Sequence, residues 1–477
     1  MKDLLKIALD EAQRLGADYA DARYMKRQHE PITTKNGAVQ SIARTEDSGV
    51  GVRVLVKGGW GFCSSSVMTP EELRRCAAEA VKIARASASV QRDPIVLSEL
   101  TPVVDKYKST VKIDPFEMPM EDKLDLLKSL DEEMKSHDQV RVATSMLSAL
   151  KYHKWFVSTE GSEIEQEILE TGINISATAA GNNDVQRRSF SDYSQAGFEF
   201  ITSMDLAGTA RSLGKEAVEL LTADVCPKTK TSLILGSSIL ALQIHESTGH
   251  PIELDRVLGS EATYAGTSFL NPHMLGNYQY GSPDVTLVAD ATIPGGLGTF
   301  GWDDEGVPAQ RTTIVDKGLF VNYLTSRETA AAIGQKSNGT ARADSWSNIP
   351  LVRMVNISLD PGDWTLDEII KDTKHGVFME QPKSWSLDDK RLNFHFSTEY
   401  AYEIEDGSIT KLLKNPAYTD MTTHFWNACD AVSGKQDGEW HLWGMPSCAK
   451  GEPIQIAHPA HGAAPARFRD IKVGVGE

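Results

Sequence analysis

Glycine-marked turns between short alternating apolar runs constrain this chain most, because they decide how its strands are joined. Between residues 141 and 200 such runs are broken by Thr159-Glu160-Gly161, Thr171-Gly172 and Gly181-Asn182-Asn183. The pattern predicts an antiparallel meander, since antiparallel neighbours can be joined by a tight turn and parallel ones cannot. The stretch 50–56, then Lys57-Gly58-Gly59, then Trp60-Gly61-Phe62 predicts a hairpin. So do 312–315 with 319–324 across Asp316-Lys317-Gly318, and 399–404 with 408–412 across Glu405-Asp406-Gly407.

Helical spacing marks discrete blocks at 2–16, 119–137 and 204–222. Thr69-Pro70-Glu71-Glu72 is a capping box with proline at the first helical position, opening a helix to about Ala86. Thr365 to Glu368 opens a shorter helix to about Lys374. There is no regular strand–helix–strand alternation. The expected class is therefore α+β, with two domains of mainly antiparallel β-sheet flanked by helices. Asp224, Pro227 and a Lys/Thr stretch separate a helix from the apolar run Leu233-Ile234-Leu235. The boundary falls there, giving 1–225 as an N-terminal α+β domain and 226–477 as a β-rich C-terminal domain.

Acidic residues outnumber basic ones 66 to 49, a formal charge of −17 over 477 residues. Such a chain is poorly suited to grip nucleic-acid phosphates, so no nucleic-acid partner is expected. The five cysteines are odd in number and widely spread, which argues against a disulfide framework and for a reducing compartment. Charges interrupt the N-terminal apolar positions as in no signal peptide, and no apolar run reaches about 18 residues. The expected address is the cytoplasm, with no membrane partner.

Chemistry concentrates in Leu240-Ala241-Leu242-Gln243-Ile244-His245-Glu246-Ser247-Thr248-Gly249-His250-Pro251. In the familiar zinc-protease motif the histidines stand four apart, ~40° around an α-helix, and reach one metal. Here they stand five apart, ~140° on a regular α-helix, which forbids shared ligation. Two distortions repair this. A π-bulge makes residues five apart neighbours. Alternatively the helix unwinds at Gly249, with Pro251 biasing His250 away from the α region. Catalytic zinc takes three protein ligands and keeps one position open. The residues leave the third ligand open among Cys448, Glu253, Asp255, His458 and His461. Glu253 and Asp255 also read as partners of the imidazoles or as solvated loop acids. His458 and His461 read better as turn residues near a strand, and Asp303-Asp304-Glu305-Gly306 as a turn rather than a cation site.

The segment 245–255 resembles the active-site signature of the TldD/PmbA metalloprotease family, often described as modulators of DNA gyrase. The resemblance covers nearly the whole chain: Gly16-Ala17-Asp18-Tyr19-Ala20-Asp21, Gly58-Gly59-Trp60-Gly61-Phe62, Asp303-Asp304-Glu305-Gly306, Arg353-Met354, Phe396-Ser397-Thr398-Glu399 and Cys448-Ala449-Lys450-Gly451. It departs at Val352, where many relatives carry proline, and in the tail 457–465. The chain resembles the TldD-like subunit, which carries the histidines and the late cysteine, and not the PmbA-like (TldE) subunit, which lacks them. The resemblance implies Zn²⁺ on His245, His250 and Cys448, with Glu246 as the general base toward a water at the metal. It implies a dimer, with itself or with a PmbA/TldE-like paralogue, and peptides or unfolded segments as substrates. Arg342, Arg353 and His395 are the candidate oxyanion-stabilising residues. The rival function is a non-catalytic scaffold subunit whose metal only ties Cys448 to the helix.

Overall fold

The computed structural model describes residues 1–181, 183–263, 266–436 and 438–474. The fold is α+β, with mostly antiparallel strands in several sheets. One eight-stranded sheet draws all its strands from residues 19–194. At its centre Tyr19–Lys35, Val140–Ser158 and Glu163–Gly181 run 17, 19 and 19 residues. The expected meander is present as Val140–Ser158, Glu163–Gly181 and Asp184–Ser194 in antiparallel register. Asn182, part of the expected Gly181-Asn182-Asn183 break, lies outside the described residues.

Thr171-Gly172 is not a break. Both residues sit inside Glu163–Gly181, opposite Ser194 and Tyr193. A Cβ on Gly172 would lie 1.8 Å from the Tyr193 ring, so this glycine serves a close approach rather than a turn. The hairpin at 312–324 is also shorter than its pattern: its second arm is only Leu319–Phe320. Beyond it the amides of Val321 and Asn322 both reach the carbonyl of Ile314, and Leu324 then pairs with Ile252 and Leu254 beside the motif helix.

Helices Lys2–Arg14 and Pro70–Val90 cover one end of this sheet. They pack Leu5, Ala8 and Leu9 with Leu73, Ala77 and Val81 against Val50, Val52 and Val54. Met120–Met134 and Leu206–Leu220 cover the other, packing Leu127, Leu130 and Leu213 against Ile173 and Ile175. Each helix buries one apolar stripe.

A second eight-stranded sheet is built almost wholly from residues after 228, and its strands close on themselves. Thr229–Leu235 pairs with His375–Leu387 and Ala466–Val473. Ala466–Val473 pairs with Ala417–Met421, that strand with Asn393–Glu405, and Asn393–Glu405 with His375–Leu387. Only Gly236 separates the strand Thr229–Leu235 from the motif helix Ser237–Ile244, in which every residue from Ile239 to Ile244 is buried. A helix apolar all round belongs in a core, so the fold carries the histidines inward.

The two sheets meet through buried charge. Arg53 bonds Asp21 in the first sheet and Glu305 from the C-terminal half, and Arg188 bonds Glu399. The acidic segment 303–306 is a turn, as expected, but a buried one. Asp303 accepts three backbone N–H groups, from Glu305, Val307 and Ala341. Asp304 takes Lys154, so these acids serve protein donors.

Candidate metal centre

The α-helix stops at Ile244 and His245–Gly249 forms one π-helical turn. The amide of His250 donates to the carbonyl of His245, 3.2 Å away and five residues back. Of the two distortions that the five-residue spacing allows, the chain uses the π-bulge. Gly249 does not unwind: a Cβ there would lie 2.1 Å from Met354 Sδ, so glycine is needed for space. His250 stays in the α region at φ −69, ψ −42 despite Pro251.

The π turn sets the two imidazoles face to edge with centroids 5.0 Å apart. Cys448 begins the short strand Cys448–Lys450, antiparallel to Gln455–Ala457. Its Sγ lies 3.8 Å from His250 Nε2. Ligand atoms of His245, His250 and Cys448 all lie within 4.8 Å of one another, and all three side chains are buried. Two donors about 2.0–2.3 Å from one tetrahedral zinc stand about 3.3–3.8 Å apart, so the three atoms are already gathered to within about an ångström of that spacing.

Hydrogen bonding fixes which nitrogens carry protons. His461 Nδ1 lies 2.9 Å from the carbonyl of Ile357, which can only accept, so Nδ1 donates. In neutral His461 the Nε2 then accepts, and it faces His245 Nδ1 at 2.8 Å. Burial and the neighbouring His245 hold His461 well below the ordinary histidine range, which keeps it neutral. His245 therefore donates from Nδ1, leaving Nε2 bare. At His250, Nδ1 meets Glu253 Oε2 at 3.0 Å, a carboxylate that only accepts, so Nδ1 donates and in the neutral ring Nε2 is left for a metal. Burial would raise Glu253, but Lys450 and His250 hold it below the usual carboxylate range. Burial would likewise raise the Cys448 thiol, yet His250 and Arg353 bring it down. In their neutral forms both rings leave Nε2 free for a metal, and with the Cys448 sulfur they make up a donor set that zinc takes.

Glu246, one residue on, is buried but turned elsewhere. Its Oε2 accepts from Arg391 Nη1 at 2.5 Å. Burial alone would raise this carboxyl, but His250, His245 and Arg391 outweigh it and keep Glu246 ionised.

The other candidates are placed elsewhere. His461 is no turn residue but a buried strand residue behind His245. His458 bonds Glu170. Asp255 bonds Lys450 and the amide of Val352 rather than an imidazole. Arg342 donates to the carbonyls of Met354 and His458, and Arg353 to those of Gln455 and Cys448. His395 lies in the strand Asn393–Glu405, opposite Ser386 and Thr419. Sequence reasoning missed Arg391, which only the pairing of 375–387 with 393–405 brings to Glu246.

Family models cover most of the chain. The PmbA/TldA metallopeptidase C-terminal domain matches residues 228–473, domain 1 matches 20–84 and the central domain matches 113–223. The chain belongs to the TldD/PmbA metallopeptidase family. Within it, a metalloprotease of Methanocaldococcus jannaschii is 33% identical over 87% of this chain and 90% of its own length. A zinc metalloprotease TldD homolog of Saccharolobus solfataricus is 24% identical over 98% of both. The crystal structure of TldE from Thermococcus kodakarensis superposes with a TM-score of 0.75 at 16% identity, covering 99% of both chains. That likeness concerns the fold. Among the described residues no helix is long and apolar enough to cross a membrane.

Proposed function

We propose that this TldD/PmbA family member is a zinc-dependent peptidase that hydrolyses extended or unfolded peptides. His245, His250 and Cys448 would hold the zinc, with Glu246 as general base. The observation that carries this reading is the pair of imidazoles pinned through Nδ1 by His461 and Glu253, with Cys448 facing them. A structural zinc normally has four protein ligands, a catalytic one three. Among the described residues the metal-competent group comprises three, and the next carboxylate, Glu246, bonds Arg391 instead. A scaffold has no use for such a carboxylate.

Bound zinc supplies Lewis acidity toward a carbonyl oxygen and makes water beside it more acidic. The chain supplies the rest. His461 and Glu253 keep both imidazoles in the ligating tautomer. Glu246, ionised and held by Arg391, takes a proton from the attacking water and returns it to the leaving amine. Peptide backbone pairing to a sheet edge would give affinity with little sequence choice.

The division into domains 1–225 and 226–477 belongs to this proposal, as does dimerisation with a second copy or a TldE-like paralogue. So does a reducing, cytoplasmic setting, which suits the five unpaired cysteines. The test is cleavage of an unfolded protein by zinc-loaded wild type and Glu246→Gln. A positioned general base contributes ~10²–10⁴-fold, so the variant should lose at least that while keeping its zinc. Unchanged cleavage in Glu246→Gln would revive the scaffold reading.

A further inference from the structure

We infer that Arg391 binds the substrate carbonyl oxygen and stabilises the negative charge that develops there, an assignment resting on the peptidase reading above. Peptide hydrolysis forms a bond from water oxygen to carbonyl carbon. One water proton passes to Glu246 and the C=O π pair moves onto oxygen. When that pair returns, the C–N bond breaks, its electrons leave with nitrogen, and Glu246 delivers the proton there. A cationic donor aimed at the oxygen lowers the barrier to the first step.

The arginines that the sequence offered for this role are committed. Arg342 and Arg353 donate to backbone carbonyls, and Arg353 is 1% exposed. Arg391 differs in three respects. First, its Nη1 touches the base itself, at 2.5 Å from Glu246 Oε2. A general base must stand about 3 Å from the attacking water, and that water about 3 Å from the carbonyl carbon. A guanidinium already in contact with the base is therefore within reach of the carbonyl oxygen. Second, its side chain is 20% exposed, open to an arriving chain. Third, its Nε–H is buried without an acceptor among the described residues. Native structures rarely leave such a donor unmet, and here an incoming oxygen would meet it.

The turn that carries Arg391 is rigid. The Asp388 carboxylate accepts the amides of Lys390, Leu392 and Asn393 at 3.1, 2.8 and 3.1 Å. The Arg391 amide donates to the Asp388 carbonyl at 2.9 Å, and Thr422 Oγ1 donates to the Arg391 carbonyl at 2.8 Å. Arg391 itself sits at φ +62, a left-handed conformation that a non-glycine residue rarely adopts unless its surroundings impose it. The same hairpin carries Trp385, which is half exposed. Base and cation thus come to one place on two rigid supports, as electrostatic preorganisation requires.

The experiment compares zinc-loaded wild type, Arg391→Ala and Arg391→Lys on a defined peptide, each with zinc content and unfolding temperature measured. Arg391→Ala should lose ~10²–10³-fold in kcat, the cost of an oxyanion donor, with KM nearly unchanged and zinc retained. Arg391→Lys should recover part of the rate, because one cationic donor is restored. Binding of a phosphinic peptide, whose tetrahedral P–O⁻ mimics the developing oxyanion, should weaken in parallel with kcat/KM, while an uncleaved product peptide binds as before. Two results would overturn the assignment. One is wild-type kcat in Arg391→Ala. The other is a loss that vanishes when Glu246 is already glutamine, which would make Arg391 a positioning residue for Glu246 only. Failure of zinc-loaded wild type to cleave any peptide would instead remove the peptidase reading, and this assignment with it.

Discussion

Replacing His461 by phenylalanine tests whether metal affinity is set behind the ligands. The imidazole is fully buried and joins two groups, accepting from His245 Nδ1 at 2.8 Å and donating to Ile357 at 2.9 Å. Phenylalanine fills the space and makes neither bond. His245 then has two courses. It keeps its tautomer and leaves a buried N–H unmet, at about 1–3 kcal/mol. Or it moves the proton to Nε2 and loses the lone pair that faces the site. Either course is charged against the zinc-bound form. At about 1.4 kcal/mol per factor of ten, the expected loss is 10–100-fold in zinc affinity, the range for losing such a supporting bond. Chelator competition at fixed pH measures it. His458→Asn is the control, because His458 sits three residues away and bonds Glu170. His461→Phe with wild-type zinc affinity, or an equal loss in His458→Asn, would refute the argument from proton positions.

Cys448→Ser should lose stoichiometric zinc in elemental analysis, because a hydroxyl replaces the only sulfur ligand in the cluster. Gly249→Ala should destabilise the protein by about 1–3 kcal/mol in urea unfolding and weaken zinc binding. Its new methyl would stand 2.1 Å from Met354 Sδ, and the π turn would have to move.

The architecture was legible where the deciding chemistry is local. Lys57-Gly58 and Asp406-Gly407 bend the chain through their own backbone preferences, and both hairpins are present. Thr171-Gly172 was misread because glycine signals either a turn or a close approach, and only the Tyr193 ring on the neighbouring strand separates the two. That the helix departs from regular α geometry at the motif was legible, because five-residue spacing excludes a regular helix for shared ligation; the choice of a π turn over unwinding at Gly249 was not. The roles of His461, Glu253 and Cys448 were not separable. His461 and Cys448 reach the helix on strands some two hundred residues later, and the pairing of 460–463 with 441–444 places one behind His245. Arg391 carried no signal at all, since nothing near it in sequence points to Glu246.

The buried charges around the centre bear on what the metal does for the fold. Glu253 is fully buried, yet it meets His250 at 3.0 Å and Lys450 and Arg256 at 3.5 Å. Lys450, equally buried, also bonds Asp255 at 2.6 Å and the carbonyl of Val352 at 2.7 Å. These contacts bind the motif helix to the cysteine strand through protein groups, without recourse to a metal. A domain whose only crosslink is its ion unfolds when the ion is removed. Here the cage is built beforehand, so chelation should abolish peptide cleavage while the protein keeps a cooperative unfolding transition. Bound zinc still stabilises by mass action, about 2.7 kcal/mol at a hundredfold excess over Kd. Spread over the unfolding entropy of 477 residues, that moves the midpoint by only a few degrees. Calorimetry with and without chelator, followed by zinc add-back, checks it. Loss of the transition on chelation would show that the ion is structural after all and that the charge network does not hold the site.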